Sequence, residues 1–189
     1  MKQLPTSLSH STDLQRGFTL VELVVTIALV AILTSLAIPS FSEALRQWRR
    51  DNTTRGLLTS LQLARTESIK TSRQVIVCPS TDETSCAAST EWNTGWIVFR
   101  DDGGGTAANA NNQALDANEP VLKVASAQAG IASLTSTGGV QLLQFMPNVL
   151  MASPTTTFTV TPTGASSATK VDRITVSRVG RVSVVTELP

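Results

Sequence analysis

The stretch from Phe18 to Ile38 constrains this chain more than any other part of it. Of its 21 residues only Thr19, Glu22, Thr26, Thr34 and Ser35 are not apolar. Coiled as a helix it would be about 32 Å long, close to the roughly 30 Å hydrocarbon thickness of a bilayer. A segment of that kind must be buried in lipid or in protein. Glu22 stands inside it, and a carboxylate there costs about 3 kcal/mol at the bilayer centre, less near an end. Two simple readings compete for such a segment. An ordinary secretory signal has a shorter apolar core and a small-x-small cleavage site. A plain single-span anchor would let Glu22 snorkel to the interface.

The residues around Glu22 carry a resemblance. A polar leader ends at Arg16-Gly17, followed by Phe18, Thr19-Leu20-Val21-Glu22 and the apolar run, with Pro39 just beyond it. This resembles the type IV pilin leader. The resemblance implies a prepilin leader peptide at 1–17, cut between Gly17 and Phe18 by a prepilin peptidase, with N-methylation of the new Phe18 terminus. It implies a transmembrane and filament-core helix over 18–38. Glu22 would be paired with the free amine of a neighbouring subunit, since a buried carboxylate strongly favours an ionised partner over none. Charge bias runs against an inside N-terminus: the leader offers only Lys2 and Arg16, the far flank Arg46, Arg49, Arg50 and Arg55. The orientation therefore rests on the leader and on the cysteines.

Net charge is +1, so the total calls for neither nucleic acid nor an acidic partner. The distribution is uneven. Residues 40–73 carry Arg46, Arg49, Arg50, Arg55, Arg65, Lys70 and Arg73 against Glu43, Asp51 and Glu67, whereas 74–189 is mildly acidic. Such a run reads as a solvated helix face or as a face packed on acidic neighbours in a filament. The single histidine, His10, lies in the leader, and there is no tyrosine. Without imidazole and with two cysteines the mature chain has no evident catalytic residue, metal cluster or cofactor site. It reads as a non-enzyme.

Pro39 is expected to kink or unwind the helix. The pattern then resumes, with Phe41, Leu45 and Trp48 and later Leu58, Leu61 and Ala64 at helical spacing. An amphipathic helix over 39–72 follows, ending near residue 71, and a globular β-rich domain over 73–189. Strand signals fall at 75–77, 96–99, 121–124, 140–145, 156–160, 171–176 and 181–185. The fold class is α+β, a long N-terminal helix packed on an antiparallel sheet head, the pilin fold. Segment 103–118, GGGTAANANNQALDAN, has no apolar period and reads as a long exposed loop. Asp101, Asp102 and Asp116 near it suit turn chemistry better than calcium, because the spacing lacks the alternating ligands and closing glutamate of an EF-hand.

Cys78 and Cys86 flank seven turn-forming residues, PSTDETS. They read as a disulfide-closed loop in an oxidising compartment, the alternative being two buried free thiols. The block VCPSTDETSC, with EWNTGWIVFRDDGG after it and RITVSRVGRVSVV near the end, resembles the GspH/FimT family of minor pilins and pseudopilins. That resemblance implies a subunit held in the bacterial inner membrane by a single span, its head in the periplasm. It would then be extracted by an assembly ATPase and an inner-membrane assembly platform into a filament of other pilins or pseudopilins. A minor pilin that primes a type IV pilus is the leading expectation, and a pseudopilin of a type II secretion system is the alternative. A third is DNA binding in natural transformation, which some relatives perform through a GRxR motif. Here the motif reads Gly180-Arg181-Val182-Ser183, leaving Arg173, Arg178 and Arg181 as candidates, with Asp172 and Glu187 beside them.

Overall fold

The computed structural model describes residues 17–148 and 150–189; over 36–40 it describes backbone only. Residues 1–16, and with them most of the expected leader, lie outside that set. Among the described residues one α-helix, α1 (Leu20–Thr71), is followed by eight strands, β1 (Gln74–Pro79), β2 (Trp96–Asp101), β3 (Val121–Ala125), β4 (Ile131–Ser136), β5 (Leu143–Phe145), β6 (Thr156–Pro162), β7 (Val171–Val176) and β8 (Val182–Glu187), with a short 3-10 turn, Gly103–Gly105, after β2. The chain divides into two compact units after Phe41, the second being Ser42–Pro189.

Helical backbone continues through Pro39, so the expected local unwinding is absent. At its other end the helix stops where Ser72 takes a positive φ of 55°, the left-handed step that commonly closes helices.

Within Ser42–Pro189 the strands form two antiparallel sheets, β3-β2-β1-β5 and β4-β6-β7-β8. Leu57, Leu61 and Ala64 of α1 share one apolar cluster with Val75, Val77, Trp96 and Val98 of the first sheet and Leu134, Phe158, Val160, Ile174 and Val176 of the second. Trp92 seals it, its ring edge-on to Phe158 at 5.0 Å. The first sheet is buried on its other face too. Ile76, Cys78, Ile97 and Phe99 pack there with Cys86, Leu115 and Leu142. That double burial is why β1 and β2 read as unbroken apolar runs rather than alternating ones.

Three expectations need correction. The stripe Phe41, Leu45, Trp48 does not join the core; Trp48 is 64% exposed and Phe41 73%. The packed face of α1 begins further on, at Arg50, Thr53, Thr54 and Leu57. The strand expected over 140–145 is confined to β5, because Val140 is engaged elsewhere: its carbonyl accepts from the Trp92 indole and its N–H donates to Ser136 Oγ. A strand that the pattern did not announce, β4, lies at the edge of the second sheet.

Segment 103–118 is the long, largely exposed loop expected, and it is anchored from below. The buried Asp101 carboxylate accepts from the N–H groups of Asn111 and Gln113 and from the Gln74 amide. Buried Glu119 accepts from the N–H groups of Gly103 and Asp116. Two carboxylates thus organise the segment from beneath, which is the turn chemistry expected of the acids there.

Candidate functional site

Gly17 and Phe18 are exposed and precede α1, where the expected cleavage and methylation would fall. Thr19 caps the helix: its Oγ1 accepts from Glu22 N–H at 3.2 Å. Thr19-x-x-Glu22 is thus the first half of a capping box, a role for these residues that their place in the leader motif had masked. Glu22 stands in the first helical turn, where the N-terminal end of the helix dipole favours a negative charge.

On either side of Glu22 the apolar side chains of α1 are bare. Leu20, Val21, Leu23, Val24, Val25, Ile27, Leu29, Val30, Ile32 and Leu33 are each at least half exposed. The hydroxyls among them are satisfied within the helix: Thr26 donates to Leu23 O, Thr34 to Val30 O and Ser35 to Ile32 O. With its hydroxyls met in this way, the surface beyond Glu22 suits an apolar surrounding. Among the described residues no helix is long and apolar enough to cross a membrane. The side chains of 36–40, which end the expected span, lie outside that set.

Cys78 and Cys86 form a disulfide, Cα–Cα 5.6 Å, which decides between the two sequence readings. Its loop is organised by Asp82, whose carboxylate accepts from the Ser85 hydroxyl and from the N–H groups of Thr84 and Ser85. Those bonds, the Ser85 hydroxyl first, hold the Asp82 carboxyl far below the usual carboxylate range. Glu83 then ties the loop to Ser126.

At the far end, β7 and β8 meet in a tight turn. Ser177 N–H donates to Arg181 O and Gly180 N–H to Ser177 O, and Gly180 supplies the positive φ of 66°. Arg178 and Arg181 are exposed here, and among the described residues neither has a carboxylate partner. Arg173 is instead engaged by Glu187. The structure adds a residue that the sequence reading did not bring to this place. Arg65 of α1 donates to Gly180 O at 3.2 Å. Only tertiary contact joins positions so distant in sequence.

Asp172 also changes meaning. Beside the arginines in sequence, it is in fact buried: it forms an ion pair with Arg50 at 3.1 Å and accepts from the hydroxyls of Thr54 and Thr186, each at 2.8 Å. Arg50, itself buried, also reaches Lys170 O and Asp51. One carboxylate thereby binds α1 to β7 and β8.

A long helix laid on two antiparallel sheets, with a methylation-type start, is what the comparisons find elsewhere. The family described as Type II transport protein GspH matches residues 53–180. The chain belongs to the GspH family. The prokaryotic N-terminal methylation motif matches residues 13–38. Together they make this a pilin-like protein of the minor pilin and pseudopilin class. The type IV minor pilin FimU of Pseudomonas aeruginosa, in two crystal forms, shares this fold. One form has 18% identity over 74% of this chain and 96% of FimU, with a TM-score of 0.51. The other has 17% identity over 76% and 94%, with a TM-score of 0.54. The minor pseudopilin EpsH of the Vibrio cholerae type 2 secretion system aligns at 15% identity over 72% and 96%, with a TM-score of 0.45. No curated protein matches the chain by sequence. The GspH match ends at Gly180, so β8 lies outside it.

Proposed function

We propose that this chain is a non-enzymatic minor pilin of a type IV pilus, a structural subunit that helps to prime assembly. The observation that carries the reading is the bare apolar face of α1 beginning at an exposed Phe18 and capped by Thr19 and Glu22. Cleavage at Gly17 would leave a charged amine on Phe18, four residues from the Glu22 carboxylate. The apolar face would pass from lipid contacts to contacts with neighbouring helices. A Glu22 without a facing amine would penalise misaligned subunits and so set register. The disulfide suits a head in the periplasm, where oxidising conditions preserve it. A secretion pseudopilin shares all of this; the pilus is preferred on the character of the 78–100 block and the closing hairpin. Mass spectrometry of the protein from its host is the first test. A mature chain beginning at methylated Phe18 and fractionating with sheared pili is the expected result. A chain still beginning at Met1 would end the pilin reading, and loss of secretion with intact pili in a deletion strain would move it to the secretion system.

A second reading is favoured by the placement of Arg65. It brings a third guanidinium to the turn bearing Arg178 and Arg181, where the GRxR pattern lacks its second arginine. DNA would be held there through phosphates. Salt-sensitive DNA binding lost in an Arg178→Ala/Arg181→Ala variant supports it; equal binding by both proteins refutes it.

A further inference from the structure

Sheets end in edges, and an unpaired edge is a template for another strand unless something blocks it. Two four-stranded sheets have four edges, β3, β5, β4 and β8. Three are blocked. The pairing of β3 with β2 is broken by a register shift at Val98/Phe99, and Lys123 is turned inward to donate to Gly56 O. The short β5 is covered by Leu150–Ser153: Phe145 bridges Met151, and Ala152 N–H donates to Gln144 O. On β4, Glu91 bridges Thr135, and Trp92 N–H donates to Leu134 O.

Among the described residues no such device protects β8. It pairs with β7 over six residues without a register shift and contains neither proline nor lysine. Its valines are open to solvent, Val184 at 39% and Val185 at 55%. The free hydrogen-bonding groups can be assigned. Ser177 N–H donates to Arg181 O, so 177 and 181 form a hydrogen-bonded pair. Such pairs alternate along an antiparallel ladder. Ser183, Val185 and Glu187 therefore turn their backbone groups towards β7, while Val182, Val184 and Thr186 turn theirs outward.

The occupant of that edge can be narrowed by geometry. Antiparallel pairing of β8 with β8 of a second copy needs a two-fold axis perpendicular to the sheet. The Ser42–Thr71 segments of the two copies would then run in opposite directions, whereas subunits drawn from one membrane run theirs the same way. Side-by-side copies with parallel helices would instead bring β8 against β4, the antiparallel edge at the other end of the same sheet. That edge is already occupied by Glu91 and Trp92. We infer that β8 receives an extended edge strand from a different pilin-type subunit, which pairs antiparallel with Val182, Val184 and Thr186 and carries a carboxylate beside the unpartnered Arg181. This rests on the filament-subunit reading and adds its partner: the edge favours a heterotypic neighbour over self-assembly.

The test uses the full chain in its host, with a photo-crosslinking amino acid at the exposed Val185 of β8 and, as a control, at the exposed Ile69 of α1. The critical variant is Val184→Pro, which removes an outward N–H but no bond to β7, the one setting in which an edge strand tolerates proline. Unchanged thermal unfolding would show that the variant folds. The expected result is an adduct at Val185 with another processed, N-methylated pilin chain, its yield falling about tenfold in Val184→Pro, as for one lost hydrogen bond. An adduct with the chain itself, an adduct indifferent to Val184→Pro, or none in pilus fractions that contain the protein would overturn the inference while sparing the filament reading. Absence of the protein from any filament fraction would overturn both.

Discussion

Removing the charge of Asp172 should unfasten the helix from the C-terminal hairpin. Asp172 and Arg50 are almost fully buried, and their oxygen and nitrogen are 3.1 Å apart. Taking one partner from a buried pair typically costs about 3–5 kcal/mol, because the survivor is left charged in a poor solvent. Arg50 would keep Lys170 O and the half-exposed Asp51 carboxylate, so Asp172→Asn belongs at the lower end, about 3 kcal/mol. For a domain of this size that lowers Tm by about 6–12 °C. The pair is not expected to stabilise the fold relative to apolar replacements. An Arg50→Met/Asp172→Leu double variant should unfold within about 1 kcal/mol of the parent, since Thr54 can turn its hydroxyl to a carbonyl of its own helix. Thermal and urea unfolding of residues 42–189, followed by circular dichroism and extended to the single variants Arg50→Met and Asp172→Leu, closes the double-mutant cycle. A loss under 1 kcal/mol in Asp172→Asn, or additive losses in the double variant, would refute the reasoning.

Gly56→Ala should stabilise the head by about 0.5–1 kcal/mol, because α1 loses a flexible residue there and the new methyl would sit 3.6 Å from Trp96, an ordinary contact; a lower urea midpoint would contradict that. Reducing Cys78–Cys86 opens a short loop and should cost about 2–3 kcal/mol, read as a lower urea midpoint with reductant than without. The lowered pKa of Asp82 stabilises the fold fully above the unfolded value near pH 4, and that contribution disappears as pH falls further. Asp82→Asn should therefore flatten the loss of stability between pH 5 and pH 2, and an unchanged slope would show that its loop contacts do not couple to folding.

What the residues announced depended on whether each contact was local. Both β1 and β2 were legible because burial on two faces leaves continuous β-branched and aromatic runs. The start of α1 was legible as a motif, though Thr19 and Glu22 also serve as a helix cap. The edge strand β4 was not, because its buried residues are Ile131 and Leu134, three apart, and a register shift between Ile131 and Ser133 accounts for the broken alternation. Trp48 misled because helical spacing identifies a shared face without saying what covers it. No local pattern could have joined Arg50 to Asp172 or Arg65 to Gly180, since each pair meets only after the sheet has formed.

Those long-range contacts bear on the charge objection to the orientation of the chain. Four arginines beyond the apolar segment oppose the usual inside-positive bias. Arg50 is neutralised inside the head by Asp172, and Arg46 lies against Glu43, whose carboxyl it holds below its ordinary range. Of the four, Arg49 and Arg55 have no ion pair among the described residues. The bias is a rule about short loops near a span, and long domains cross largely regardless of charge. Two of the four arginines here belong to the ion-pair chemistry of such a domain. Their presence on that flank therefore weighs little against the proposed orientation, in which the head is carried across the membrane.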